Sequence, residues 1–233
     1  MVDFITRNKI FLIVVTLTIL LMIGGVYLFS KGGTATTTVG SAVSNNILVP
    51  NDSHETSGYI DGTYKPATDS AKITLVEFGD FECPACGAYS PFVKQLLTDF
   101  SGKINFVFRN YPLPQHANAP ISSDAAEAAG LQGKYWQMHD KLYENQNTWA
   151  TSQDPKSIFI GFAKDLGLDE AKFTTDLDSQ VVKDKVSRDL NDGNLVNLTE
   201  TPTFYLNGNK ISPLPASYND FKSVVENAIN SNN

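Results

Sequence analysis

The chain has 233 residues, 42% of them apolar and 18% charged, with 18 basic and 25 acidic side chains. That length holds one domain of about 150 to 200 residues plus extra segments, and the net charge of −7 argues against binding nucleic acid or anionic lipid surfaces by charge. Its two cysteines are too few for a disulfide scaffold or an all-cysteine zinc site.

The first element is the run Ile10 to Phe29, 20 residues without a charge. A helix of about 20 residues rises about 30 Å, the thickness of a bilayer's hydrocarbon core, whereas the apolar part of a signal peptide spans about 7 to 15 residues. Arg7 and Lys9 precede the run, and such positive flanks stay in the cytoplasm. The expected layout is a cytoplasmic tail at 1–9, one transmembrane anchor at 10–29, and the rest of the chain outside the cytoplasm at the cell membrane. A cleaved signal peptide stays open as an alternative, with Gly33-Thr34-Ala35 as a small-residue cleavage site. Without Arg7, Lys9 and Asp3 the exported part carries 16 basic and 24 acidic residues, a net of −8.

Residues 30–68 are small and polar, as in Gly32-Gly33-Thr34-Ala35-Thr36-Thr37-Thr38, and are expected to form a flexible tether. From Ile73 to Gly79 the sequence is apolar and β-rich, the pattern of a buried central strand. A helix should start near Cys83 and run to about Phe100, with Tyr89, Phe92, Val93, Leu96 and Leu97 at helical spacing. Ile104 to Phe108 reads as a second strand, parallel to the first. Residues 118–195 contain no convincing strand and read as an inserted all-helical region. Thr203 to Leu206 is a strand, Asn207-Gly208 a strong hairpin turn, and Lys210-Ile211 its partner. Tyr218 to Ile229 closes the chain as an amphipathic helix. The fold class is α/β: a small sheet with a helical lid.

The chemistry centres on Cys83-Pro84-Ala85-Cys86, set between a buried strand and a helix. A sulfur at a helix N-terminus meets unsatisfied N–H groups and the positive end of the dipole, which favour thiolate and lower its pKa. Cys83 comes first and is expected to be the nucleophile; Cys86, one turn on, can close the disulfide and resolve a mixed one. Pro84 suits the first turn, where its missing N–H costs nothing. Half of a zinc site is disfavoured, because His54, His116 and His139 lack metal-ligand spacing. An inert disulfide closing so small a loop adds little stability, and two inert buried thiols suit a cytosolic protein better. His116 and His139 show no partner in the sequence, and Asp176, Asp178, Asp184, Asp189 and Asp192 read as solvated helix faces. Tyr135, Trp136 and Tyr143 read as packing core.

Val76-Glu77-Phe78 followed by Cys83-Pro84-Ala85-Cys86 resembles the DsbA-like branch of the thioredoxin superfamily. So do Tyr111-Pro112-Leu113 with His116, Ala125-Ala126-Glu127-Ala128-Ala129, Gly133 to Asp140, and Thr201-Pro202-Thr203-Phe204. The resemblance covers about residues 60 to 230 and is strongest to the anchored BdbD-type proteins of Gram-positive bacteria. It implies a thioredoxin fold with the helical insertion, occupying 69–233, and an enzyme that introduces disulfides into exported proteins. Its implied partners are reduced exported proteins and a quinone-linked recycling oxidase of the DsbB or VKOR type. It implies no cofactor beyond the Cys83–Cys86 disulfide, and no metal. Pro202 would be a cis-proline facing the disulfide, with Thr201 offering its backbone to substrate. Glu77 would be a buried acid beneath the cysteines, and a carboxylate in a buried strand should have a raised pKa. Where the strongest oxidant of the family carries a histidine, this chain has Ala85, which implies a milder oxidant. A reductase or isomerase, and a non-catalytic chaperone using the groove between lid and sheet, remain as alternative functions. The irregular tether is not a dimerisation module, so a monomer is expected.

Overall fold

The computed structural model describes residues 38–42, 48, 56–60, 63–67 and 71–231. The tail expected at 1–9, the anchor at 10–29 and the alternative cleavage site lie outside the described residues. Among the described residues no helix is long and apolar enough to cross a membrane.

The described strands are β1 (Thr38–Ala42), β2 (Thr56–Ile60), β3 (Thr63–Pro66), β4 (Ile73–Gly79), β5 (Ile104–Asn110), β6 (Thr203–Leu206) and β7 (Asn209–Ser212). They form one seven-stranded sheet in the order β1-β7-β6-β4-β5-β2-β3. Within the span expected to be a flexible tether, 30–68, the described residues include the strands β1, β2 and β3, which extend both edges of the sheet. Ladder hydrogen bonds come from the backbone, so an edge strand needs no apolar period for composition to reveal. One aromatic helps: the Tyr64 ring stacks on Trp136 at 4.6 Å, and its hydroxyl donates to Asp140 at 3.0 Å.

β4 is the spine. It pairs parallel with β5 and antiparallel with β6, in a register that sets Glu77 opposite Phe108 on one side and Phe204 on the other. Because successive side chains point to opposite faces, Ile73 and Leu75 enter the larger core while Val76 and Phe78 enter a second one with Val107, Tyr111 and Tyr205. Burial of each such side chain stabilises by about 1.5–3 kcal/mol.

Helix α1 (Pro84–Asp99) connects β4 to β5, burying Val93, Leu96 and Leu97, and Gly102 at φ 72 turns the chain back towards β5. The insertion consists of α2 (Ala119–Gly130), α3 (Tyr135–Glu144), α4 (Gln146–Trp149), α5 (Pro155–Asp165), α6 (Glu170–Leu177) and α7 (Gln180–Leu195). Its caps follow local chemistry: Asp154, Asp169 and Ser179 accept from the backbone N–H three residues on, at the starts of α5, α6 and α7. The Asn207-Gly208 turn has φ of 48 and 82, as a tight hairpin of this type requires. It is pinned to β4 by Thr74 N–H donating to Asn207 Oδ1 at 2.9 Å. Helix α8 (Tyr218–Ser231) packs Phe221, Val225 and Ile229 into the main core.

The second face carries a correction. Asp189 is not solvated: it is 1% exposed and accepts from Arg109 Nε at 2.8 Å, Lys185 Nζ at 2.9 Å and Asn110 N at 3.1 Å. Arg109 is itself fully buried and reaches Asp192 at 2.6 Å. A buried cation needs an anion beside it, and α7 supplies one to β5. This network ties the insertion to the sheet.

Candidate active site

β4 ends at Gly79, and the chain turns through Asp80-Phe81-Glu82. Cys83 N–H donates to Asp80 O at 3.1 Å and Asp80 Oδ1 accepts Glu82 N–H at 2.8 Å, closing the turn. Cys83 keeps extended backbone angles as the N-cap of α1, with Pro84 at the helix start. Its carbonyl accepts Gly87 N–H at 3.1 Å, so its sulfur sits where the helix's free N–H groups begin.

The structure brings together the residues singled out by sequence. Both cysteines are free thiols; Cys83 is 7% exposed and Cys86 0%. The Thr201–Pro202 peptide is cis. Cys83 Sγ lies 3.4 Å from Thr201 O, to which the thiol donates. Asp80 N–H donates to Cys86 Sγ at 3.5 Å. The Thr201 hydroxyl has no hydrogen-bond partner.

The two sulfurs are electrostatically unlike. Cys83 is held down at about 5, first by the hydrogen bond from the Cys86 side chain; partial burial opposes it, and the backbone N–H groups of Cys86 and Ala85 add to it. Cys86 is pushed well above its ordinary value by burial, by its donation to Cys83, and by the charges of Glu77 and Cys83. One proton thus stays on Cys86 while Cys83 ionises.

Glu77 is 2% exposed, and its Oε1 has no hydrogen-bond partner. Burial, then the charge of Cys83, pushes its carboxyl up to about 8. Its close neighbourhood depends on Gly79, where an added Cβ would meet the Phe108 ring at 2.4 Å and Glu77 Oε1 at 3.1 Å. The carboxyl is thus largely neutral near pH 7 and is electrostatically coupled to both sulfurs.

Sequence reasoning missed the groups that hold this turn. Gln146, on α4, donates from Nε2 to Phe81 O at 2.7 Å and Cys83 O at 2.9 Å. Glu82 Oε2 accepts Asn118 N–H at 2.5 Å. His116, expected to be partnerless, has Nδ1 2.6 Å from Asp80 Oδ2. His139, likewise, has Nδ1 3.1 Å from Asp140 and sits edge-on to Phe108 at 4.8 Å, among Phe81, Trp136 and Tyr143. Only Asp80 left a local signal, as an acid closing an apolar strand; the others come from distant segments. His116 also lines a groove of about 880 Å³ with Leu113, Pro114, Pro120, Asp124 and Lys183. Among the described residues no cluster of three or more His, Cys, Asp or Glu forms a metal site.

Residues 68–227 match the family described as thioredoxin. The fold resembles that of oxidised BdbD from Bacillus subtilis, with TM-score 0.65 at 23% identity over 83% of this chain and 98% of that one. It also resembles α-DsbA1 from Wolbachia pipientis, with TM-score 0.66 at 18% identity over 82% and 98%. A thioredoxin-like oxidoreductase from Silicibacter pomeroyi gives 0.64 at 20% identity over 81% and 97%. Among curated proteins, the chain is 39% identical over 141 residues to Na(+)/H(+) antiporter NhaA 1 of Salinispora arenicola, covering 60% of this chain and 21% of that protein. It is 35% identical over 143 residues to the NhaA antiporter of Herminiimonas arsenicoxydans, covering 61% and 22%. The chain thus spans about a fifth of the length of these relatives.

Proposed function

The chain belongs to the thioredoxin family and has a DsbA-like fold, and from that premise we propose that it is a thiol–disulfide oxidoreductase that introduces disulfides into exported proteins. The observation that carries this reading is the split between the two sulfurs, Cys83 at about 5 and Cys86 well above 9.0. In oxidised enzyme, a substrate thiolate attacks Cys83 Sγ. The Cys83–Cys86 bond breaks, and Cys86 leaves and takes a proton, with Glu77 as the donor. A second substrate thiolate then attacks the substrate sulfur of the mixed disulfide, and Cys83 leaves as the stabilised thiolate. The substrate gains one disulfide, and the enzyme takes up two electrons as a dithiol. Thr201, beside Pro202, offers its backbone to the incoming chain.

The low Cys83 value supports the oxidising direction, since stabilising the reduced form makes a disulfide a stronger oxidant. Ala85 works against it, which keeps the reductase or isomerase reading as the second one. On the lead reading the enzyme acts outside the cytoplasm as a membrane-anchored monomer and passes its electrons to a quinone-linked oxidase. Oxidation of a dithiol peptide and reduction of insulin, with a measured reduction potential, test it. Cys83→Ala should abolish exchange, and Cys86→Ala should trap mixed disulfides with substrate. Full exchange by the Cys83 variant would rule the proposal out.

A further inference from the structure

The redox turn holds a second titratable pair that the exchange steps above leave unused. Asp80 is fully buried and touches both cysteines through its backbone: its carbonyl takes Cys83 N–H and its N–H reaches Cys86 Sγ. Its carboxylate accepts from Glu82 N at 2.8 Å and Leu113 N at 2.9 Å, and meets His116 Nδ1 at 2.6 Å. An unneutralised anion buried in the turn that carries a sulfur which must ionise disfavours the thiolate. Pro84 and Ala85, between the cysteines, carry no charge to offset it. Among the described residues, the one cation-forming group on that carboxylate is His116, whose side chain is 19% exposed and so reaches solvent protons.

We infer that His116 is a positioning residue of the exchange reaction: protonated on Asp80, it offsets the buried charge and adds, from the loop between β5 and α2, a cation's pull to the hydrogen bonds that keep Cys83 ionised. This rests on the thiol–disulfide reading and deepens it. The titratable groups around the imidazole are Asp80, Glu82 and Cys83 in the redox turn, with Asp124 on α2 and Lys183 on α7 lining the same groove. Partial burial disfavours the imidazolium, but the hydrogen bond and charge of Asp80, with the charges of Cys83 and Glu82, outweigh it and hold the group above its ordinary value. Coupling between charges is reciprocal: if the Cys83 thiolate favours the imidazolium, the imidazolium favours the thiolate.

Two variants of the full chain separate charge from shape. His116→Asn keeps an N–H donor for Asp80 without the charge, and His116→Ala removes both. Cys83 is titrated by thiolate absorbance in the reduced proteins, and the dithiol is equilibrated with glutathione at pH 7 and pH 9. Both variants should raise the Cys83 midpoint by about one unit. Both should shift the glutathione equilibrium about tenfold towards a weaker oxidant at pH 7, which is ~30 mV, with the difference smaller at pH 9, the direction in which the wild-type imidazole loses its proton. If His116→Asn titrates and equilibrates as wild type does, the inference is overturned, whether or not His116→Ala folds. That result, with exchange still dependent on Cys83, sinks only the role of His116. Exchange that survives Cys83→Ala sinks the enzymatic reading itself, while the titration still reports on the charge coupling.

Discussion

Glu77→Gln is the most informative single change. Burial raises the Glu77 carboxyl from 4.5 to about 8. Over that window the folded protein keeps a proton that the unfolded chain has released, so stability falls as pH rises from 4.5 towards 8. From pH 5 to pH 7.5 the loss covers 2.5 units, and at ~1.36 kcal/mol per unit it amounts to roughly 3 kcal/mol. Glutamine fills the same space and does not ionise. The reduced variant should therefore gain about 3 kcal/mol on the reduced parent between those two pH values. Urea unfolding of both reduced proteins at pH 5 and 7.5 measures the difference, and the slope due to Cys83 cancels to first order. Parallel pH dependences would show that Glu77 is ionised in the fold and refute the burial argument. On the proposed function, the same variant should also oxidise peptide roughly 10²-fold more slowly, since Glu77 is there the proton donor to Cys86.

Alkylation of reduced protein should show Cys83 reacting with a midpoint near pH 5, while Cys86 stays unreactive up to pH 9. Because the folded value of Cys83 lies below its unfolded one, its contribution to reduced-state stability should grow as pH rises from about 5 to 9. Asp189→Ala removes the anion shared by Arg109 and Lys185 and should cost about 3–5 kcal/mol in urea unfolding; a cost under 1 kcal/mol would mean the network is solvated. Gly79→Ala forces a methyl against Phe108. It should cost about 1–3 kcal/mol, read as a lower melting temperature.

What the sequence made legible was whatever has a local cause. The apolar run at Ile73–Gly79 gave β4, the helical spacing of Val93, Leu96 and Leu97 gave α1, and Asn207-Gly208 gave the hairpin with both its positive φ angles. The site pattern was legible for the same reason, since Cys83 and Cys86 are one helical turn apart and Thr201-Pro202 directly precedes a strand. Edge strands β1 to β3 were hidden because their pairing is backbone to backbone. Asp189 was hidden because its partner Arg109 is 80 residues away, and a charge on a helix reads as solvated until the facing element is known. Gln146, Asn118 and His116 were hidden likewise: each comes from a distant segment and meets the redox turn only in the folded chain.

The amide of Gln146 holds the carbonyls of Phe81 and Cys83, while its own Oε1 would lie 2.6 Å from any Cβ placed at Gly87. The helical lid is therefore no interchangeable accessory. Transplanting the four-residue cysteine motif with its strand and helix onto a smaller scaffold would leave the Phe81 carbonyl to bulk water and the loop free to wander. A minimal mimic of this protein has to import residue 146 and the space reserved for it, because the reactive loop is shaped by a segment about sixty residues downstream.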